Sequence, residues 1–136
     1  YDASDSLNAI KWTSWMAAGS NNLNLYNYVA GLIDIRQSST AFSLGVISST
    51  NVVDLGVSTN DNILGYKVTN GTDTYIVMIN ATDSAVNLNA GVDLTSASIL
   101  ADASSAGTTA ISSPVGVTKS GTTVTLSAQT GTIIKL

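Results

Sequence analysis

The stretch Ile63-Leu64-Gly65-Tyr66-Lys67-Val68-Thr69-Asn70-Gly71-Thr72-Asp73-Thr74-Tyr75-Ile76-Val77-Met78-Ile79-Asn80 decides the fold class. Two β-rich runs flank Asn70-Gly71, the dipeptide that best fits a type I′ hairpin because both of its central residues need positive φ. The second run is apolar at every position from Tyr75 to Ile79. That pattern predicts a central strand covered on both faces. On either side, short apolar segments are broken by turn residues every eight to twelve positions, as in an all-β sandwich. Strands are expected over 52–57, 85–89, 98–101, 115–119, 122–126 and 132–136. Those at 85–89 and 122–126 alternate and should each keep one wet face. Ser120-Gly121 closes a second hairpin, and Pro114, the only proline, falls in a loop where it interrupts no ladder.

The first forty residues have a different texture. Both tryptophans, three of the five tyrosines and one convincing helical pattern fall there. Leu25, Val29, Leu32, Ile33 and Arg36 recur at helical spacing, and Ser20, Asn21 and Asn22 are available as N-caps, so a helix is expected over about 22–38. Gly31 costs such a helix about 1 kcal/mol relative to Ala, which points to close packing against another element as its purpose.

Composition narrows the chemistry. The chain of 136 residues is long enough for one domain with a core, yet has no His, no Cys and no Glu, since all nine acids are Asp. A Ser-His-Asp triad, a cysteine nucleophile, a disulfide framework and a His/Cys zinc site are therefore excluded. Five basic residues, spread singly, and a net charge of -4 leave no footprint for nucleic acid or an anionic bilayer. The longest apolar run, five residues, is far below the roughly twenty that cross a membrane. Charged residues make up only 10% and Ser and Thr about a quarter, a texture that suggests an extracellular or cell-surface protein whose signal would lie upstream.

Candidate site residues carry two readings each. Asp2 and Asp5 lie near aromatics, and paired carboxylates can hydrolyse glycosides, but Asp in a Ser-rich stretch before a helix more commonly caps a turn. Asp61-Asn62 and Asp102 fit Asx-turn chemistry better than calcium binding, and no EF-hand spacing is present. Trp12 and Trp15, with Tyr1, Tyr26 and Tyr28, could stack on sugar rings, though core or interface packing is the stronger reading. Asn70-Gly71-Thr72 and Asn80-Ala81-Thr82 match the glycosylation sequon but are better explained as a hairpin and a strand end.

Tyr1-Asp2-Ala3-Ser4-Asp5-Ser6-Leu7-Asn8-Ala9-Ile10-Lys11-Trp12, then Leu25-Tyr26-Asn27-Tyr28-Val29-Ala30-Gly31-Leu32-Ile33-Asp34-Ile35-Arg36 and Thr40-Ala41-Phe42, resemble the C-terminal end of type I pullulanases of the α-amylase superfamily. Ile63 to Tyr66, Tyr75 to Ala81 and Ile99 to Thr109 resemble that family's C-terminal β-sandwich. Asp2 stands where the family has Asn, and Ser4 and Thr40 where it has Pro, which leaves those turns less rigid.

The resemblance implies a mainly β chain. Residues 1–44 would be the last loop and helix of a (β/α)8 catalytic barrel and 45–136 an antiparallel β-sandwich. It implies a parent enzyme that hydrolyses α-1,6-glucosidic bonds in pullulan, amylopectin or glycogen with an Asp nucleophile, a Glu acid/base and a transition-state Asp, all upstream of Tyr1. The absence of Glu agrees with that placement. This chain is then expected to hold no catalytic residue, no metal and no cofactor, and to have the rest of the barrel as its partner and α-glucan as a ligand only through the parent. Tyr1, Asp2 and Asp5 would border the substrate cleft. The alternatives are a carbohydrate-binding module stacking sugar on Trp12 or Trp15, and an extracellular interaction domain. A helix face evolved to pack in a barrel should, in this chain alone, fold back, dimerise or remain exposed.

Overall fold

The computed structural model describes residue 9, residues 11–45 and residues 47–136. A one-turn helix α1 (Trp12–Trp15) precedes α2 (Asn21–Ser38) and a 3-10 turn (Thr40–Phe42). Eight strands follow: β1 (Val52–Asp54), β2 (Ile63–Asn70), β3 (Asp73–Asn80), β4 (Val86–Asn89), β5 (Ser98–Ala101), β6 (Val117–Ser120), β7 (Thr123–Leu126) and β8 (Thr130–Lys135). They form a five-stranded sheet in the order β1-β2-β3-β8-β5 and a three-stranded sheet in the order β4-β7-β6. Every pairing of these strands is antiparallel.

The two sheets pack face to face, as the period-2 patterns require. Ile76, Met78, Ile99 and Ile134 from the larger sheet meet Leu88, Val117, Val124 and Leu126 from the smaller one, with Leu94 and Ala97 filling the end of the core. On β3 the alternation delivers Tyr75 to the other side, where it joins Ile35, Ala41, Val68, Leu100 and Ala101 beneath α2 and the 3-10 turn. The apolar run in β3 is thus covered on both faces from Tyr75 to Met78, because it is the middle strand of a middle layer, whereas Ile79 at its end is 42% exposed. The order of layers is helix, large sheet, small sheet.

Local chemistry sets the boundaries. Ser20 caps α2, its Oγ accepting from the Leu23 amide at 3.2 Å, and Ser39 ends the helix by turning extended. The strand expected over 52–57 stops at Asp54, whose Oδ1 accepts from the amide of Gly56, a residue at φ +55°. The one expected from 115 begins at Val117 because Gly116, at φ +70°, breaks the extension.

The first hairpin needs a correction. Asn70 pairs with Asp73, so the two central residues are Gly71 and Thr72. Gly71 has φ +60°, whereas the sole non-glycine with positive φ among the described residues is Gln129. Only the first central residue is left-handed, which is the type II′ pattern rather than type I′. The second hairpin repeats it: Ser120 pairs with Thr123 around Gly121 at φ +53°.

Candidate functional site

Tyr1, Asp2 and Asp5 lie outside the described residues. Trp12 and Trp15 lie on α1, 63% and 48% exposed, so neither is buried in the core of this chain. The end of α1 is fixed to the start of α2, because Ser20 Oγ donates to the Trp15 carbonyl at 2.6 Å. The structure therefore places the tryptophans beside the first turn of α2.

Helix α2 is apolar on two stripes. One stripe meets the sandwich. Tyr28 Oη donates to the carbonyl of Asp102 at 3.0 Å, Gly31 approaches the backbone of Ala106, and Ile35 is buried. At the C-terminal end Ser39 Oγ donates to Asp73 Oδ2 at 2.7 Å, and Asp73 in turn pairs with Lys135 at 3.7 Å. The Lys135 ammonium stands 5.5 Å from the centre of the Tyr75 ring. The second stripe, Leu25, Val29 and Ile33, faces outward, with exposures of 64%, 45% and 49%. These three residues recur every fourth position, and with Asn22, Tyr26 and Ala30 they line one shallow surface groove. A helix apolar on a second stripe is what a helix between two partners looks like; a helix lying on a domain surface has one.

Asp102 is the most unusual acid. Its side chain is fully buried, and both of its oxygens accept hydrogen bonds. Oδ1 receives the amides of Ser104 and Ser105 at 2.7 and 2.8 Å and both of their hydroxyls, and Oδ2 receives the Val115 amide at 2.7 Å. Burial alone would raise its pKa, but these hydrogen bonds outweigh burial and hold the carboxyl below its ordinary value. The nearby Tyr28 hydroxyl is pushed up, by its own burial first and by the Asp102 charge second.

The expected Asx-turn chemistry of Asp102 is present and extends further than two residues, because the single side chain also reaches Val115. At the other turn the acceptor is Asn60, whose Oδ1 takes the Asn62 amide at 2.9 Å. Asp93 builds a turn of the same kind, its carboxyl held below the ordinary value by hydrogen bonds from the Thr95 hydroxyl and amide. No group of three or more potential metal-ligating side chains occurs among the described residues. Asn80 is fully buried, its amide donating to the carbonyls of Ser84 and Ser127, so this sequon is structural. Asn70 is exposed and donates to Thr40 Oγ1. No helix among the described residues is long and apolar enough to cross a membrane.

What these residues assemble at this end of the chain is an exposed apolar stripe on α2 beside two exposed tryptophans. Sequence reasoning found the helix and its apolar positions but missed the Tyr28 to Asp102 tether. The two are 74 positions apart, and only the Asp-x-Ser-Ser run hinted at the carboxylate cradle.

Residues 48–136 match the family described as SpuA C-terminal. The chain is 32% identical to Pullulanase A of Streptococcus pneumoniae serotype 2 (strain D39 / NCTC 7466) in an alignment over 151 residues, covering 100% of this chain and 12% of that protein. The solved catalytic module of the multi-modular glycogen-degrading pneumococcal virulence factor SpuA is similar in fold at a TM-score of 0.82 and 30% identity, covering 100% of this chain and 21% of that one. The Group B Streptococcus pullulanase SAP is similar at a TM-score of 0.79 and 25% identity, with 100% and 19% covered. The chain thus spans only about an eighth of the curated relative's length. With the sandwich matched over most of its residues and the helix included in both structural likenesses, the chain belongs to the SpuA C-terminal family and corresponds to the C-terminal part of pullulanases.

Proposed function

We propose that this chain is the non-catalytic C-terminal part of a pullulanase-type enzyme that hydrolyses α-1,6-glucosidic bonds in pullulan, amylopectin or glycogen outside the cell or at its surface. Residues 1–44 supply the last loop and helix of its (β/α)8 barrel, and residues 45–136 supply a sandwich that braces that helix. The supporting observation is the second apolar stripe of α2, Leu25, Val29 and Ile33, exposed on a helix whose other stripe is seated on the sandwich. In the longer polypeptide this stripe packs against the rest of the barrel, while Tyr1, Asp2 and Asp5 border the substrate cleft.

Two measurements test the reading. The chain alone should release no reducing sugar from pullulan, and release would overturn it. In the longer polypeptide, Val29→Asp with Ile33→Asp should lower the melting temperature of the barrel, whereas the same pair should leave the melting temperature of this chain by itself nearly unchanged. Equal effects in both contexts would count against a barrel-facing stripe.

The exposure of Trp12 and Trp15 supports a second reading, a module that stacks α-glucan on their rings. Tryptophan fluorescence titrated with maltotriose separates the two. No change at millimolar sugar removes the binding module.

A further inference from the structure

Asp102 joins three observations that the exposed stripe of α2 does not by itself explain. The carboxylate is fully buried, with no Lys or Arg hydrogen-bonded or ion-paired to it among the described residues. Its charge is neutralised instead by three backbone amides and two serine hydroxyls, a small anion nest that, with the Ala103 amide on the Val115 carbonyl at 3.0 Å, closes residues 102–115 into one loop. That loop carries both contacts that receive the middle of α2: the Asp102 carbonyl under Tyr28, and the Ala106 carbonyl under Gly31. The loop is held to the edge of β5 by the Gly107 amide on Leu100 and the Ile111 amide on Ile99, both at 2.9 Å.

We propose that Asp102 is the latch that seats α2: its ionised carboxylate folds the 102–115 loop into the surface on which the helix lies, and neutralising that carboxylate releases the helix while the two sheets stay folded. The physical reason is donor crowding. Backbone amides point at both oxygens, so the NH2 of Asn must face a backbone N–H in either orientation, and a carboxyl proton weakens the oxygens as acceptors for those amides. One hydrogen-bond direction is lost, the loop opens, and Tyr28 and Gly31 lose their partners together. The core between the sheets permits such local release, since Ile76, Met78, Leu88, Val124 and Ile134 pack on one another, and what the release uncovers is the second core, where Ile35 meets Val68, Tyr75 and Leu100. The latch acts between helix and sandwich, independently of what covers the outer stripe.

The groups around the latch are few. From α2 the facing titratable group is Tyr28, whose raised hydroxyl stays protonated throughout the acid range. Ser104, Ser105 and Val115 from the loop and Thr132 from β8, which donates to the adjacent Ala101 carbonyl, do not titrate. Asp73 is the other carboxylate that holds the helix, anchoring its far end through Ser39. Asp73→Asn is therefore the control.

Amide hydrogen exchange on the full chain tests the latch. Asp102→Asn should lower protection of the 21–38 and 103–115 amides by about tenfold or more while β3 and β8 keep theirs. Unchanged protection of α2 overturns the proposal, and so does an equal loss in β3 and β8. If Asp102→Asn fails to fold, the wild-type chain decides. As pH falls below the ordinary carboxylate range, protection corrected for intrinsic rate should fail in α2 before β3, and the same should hold in Asp73→Asn. Simultaneous failure, or its absence in Asp73→Asn, overturns the latch. Tyr28→Phe cuts only the tether and should loosen α2 without loosening 103–115. Loosening of the loop by Tyr28→Phe would reverse the proposed direction and overturn it.

Discussion

Gly31 of α2 lies so close to the main chain at Ala106 that a β-carbon built on it would fall on the Ala106 carbonyl, 2.5 Å from its carbon atom. The obstacle is backbone, which cannot swing aside as a side chain would. Helix propensity favours Gly31→Ala by about 1 kcal/mol, but overpacking costs about 1–3 kcal/mol, and contact with a fixed loop puts the cost at the upper end. Gly31→Ala should therefore destabilise the chain by about 1–2 kcal/mol in urea unfolding, the reverse of what an exposed helical glycine does.

Asp102 makes stability depend on pH in a definite direction. A carboxyl whose pKa is lower folded than unfolded contributes stability that is complete above its ordinary value and is lost as pH falls through the lower, folded value. Stability should be flat near neutrality in this respect and decline in the acid range below the ordinary carboxylate value. Asp102→Ala should remove the decline that this residue causes and cost about 2–3 kcal/mol at neutral pH, from amides left without their acceptor. Urea midpoints measured across pH for the two proteins check both statements.

The turn assignment yields a comparison of neighbours. Gly71 carries the left-handed conformation and Asn70 does not, so Gly71→Ala should cost about 1–2 kcal/mol, whereas Asn70→Thr should cost about 0.5 kcal/mol or less. A true type I′ turn would make both substitutions costly. Thermal unfolding of the two variants distinguishes the turns.

The outer stripe of α2 is a surface in this chain. Leu25→Ser, Val29→Ser and Ile33→Ser should each change its stability by no more than about 0.5 kcal/mol. Together they should reduce self-association at high concentration, read by light scattering, because they remove the contiguous apolar stripe. A large loss of stability from any one of them would show that the stripe is packed in solution.

Much of this fold was legible where local pattern and tertiary environment agree. The alternation in β4 and β7, the apolar β3 run and the Ser20 cap each follow from the spacing of a few residues. Gly31 was legible as a point of close approach because a glycine in mid-helix is otherwise a cost. The hairpin was misplaced by one residue because Asn-Gly has a strong preference of its own, and here the pairing of Asn70 with Asp73 overrode it. The Asp102 nest was legible only as a turn, since its reach to Val115 and the Tyr28 tether depend on which loops the sheets bring together. The apolar positions of α2 were legible from their spacing, but which of them the sandwich would cover required the orientation of the helix on β3 and β5.

The place of β8 between β3 and β5 has a consequence for how the chain acquires its shape. The β2–β3 hairpin closes across two residues and can form as soon as it is made. The other edge of β3, however, pairs with a segment that begins 50 positions after Asn80. Until 130–135 arrive, β3 offers its most apolar backbone, Tyr75 to Ile79, as an open edge on which a second chain can add a strand. Premature stops or clipping ahead of Thr130 should therefore yield insoluble protein rather than a smaller soluble sandwich, and the growing chain is at its most vulnerable just before the large sheet closes.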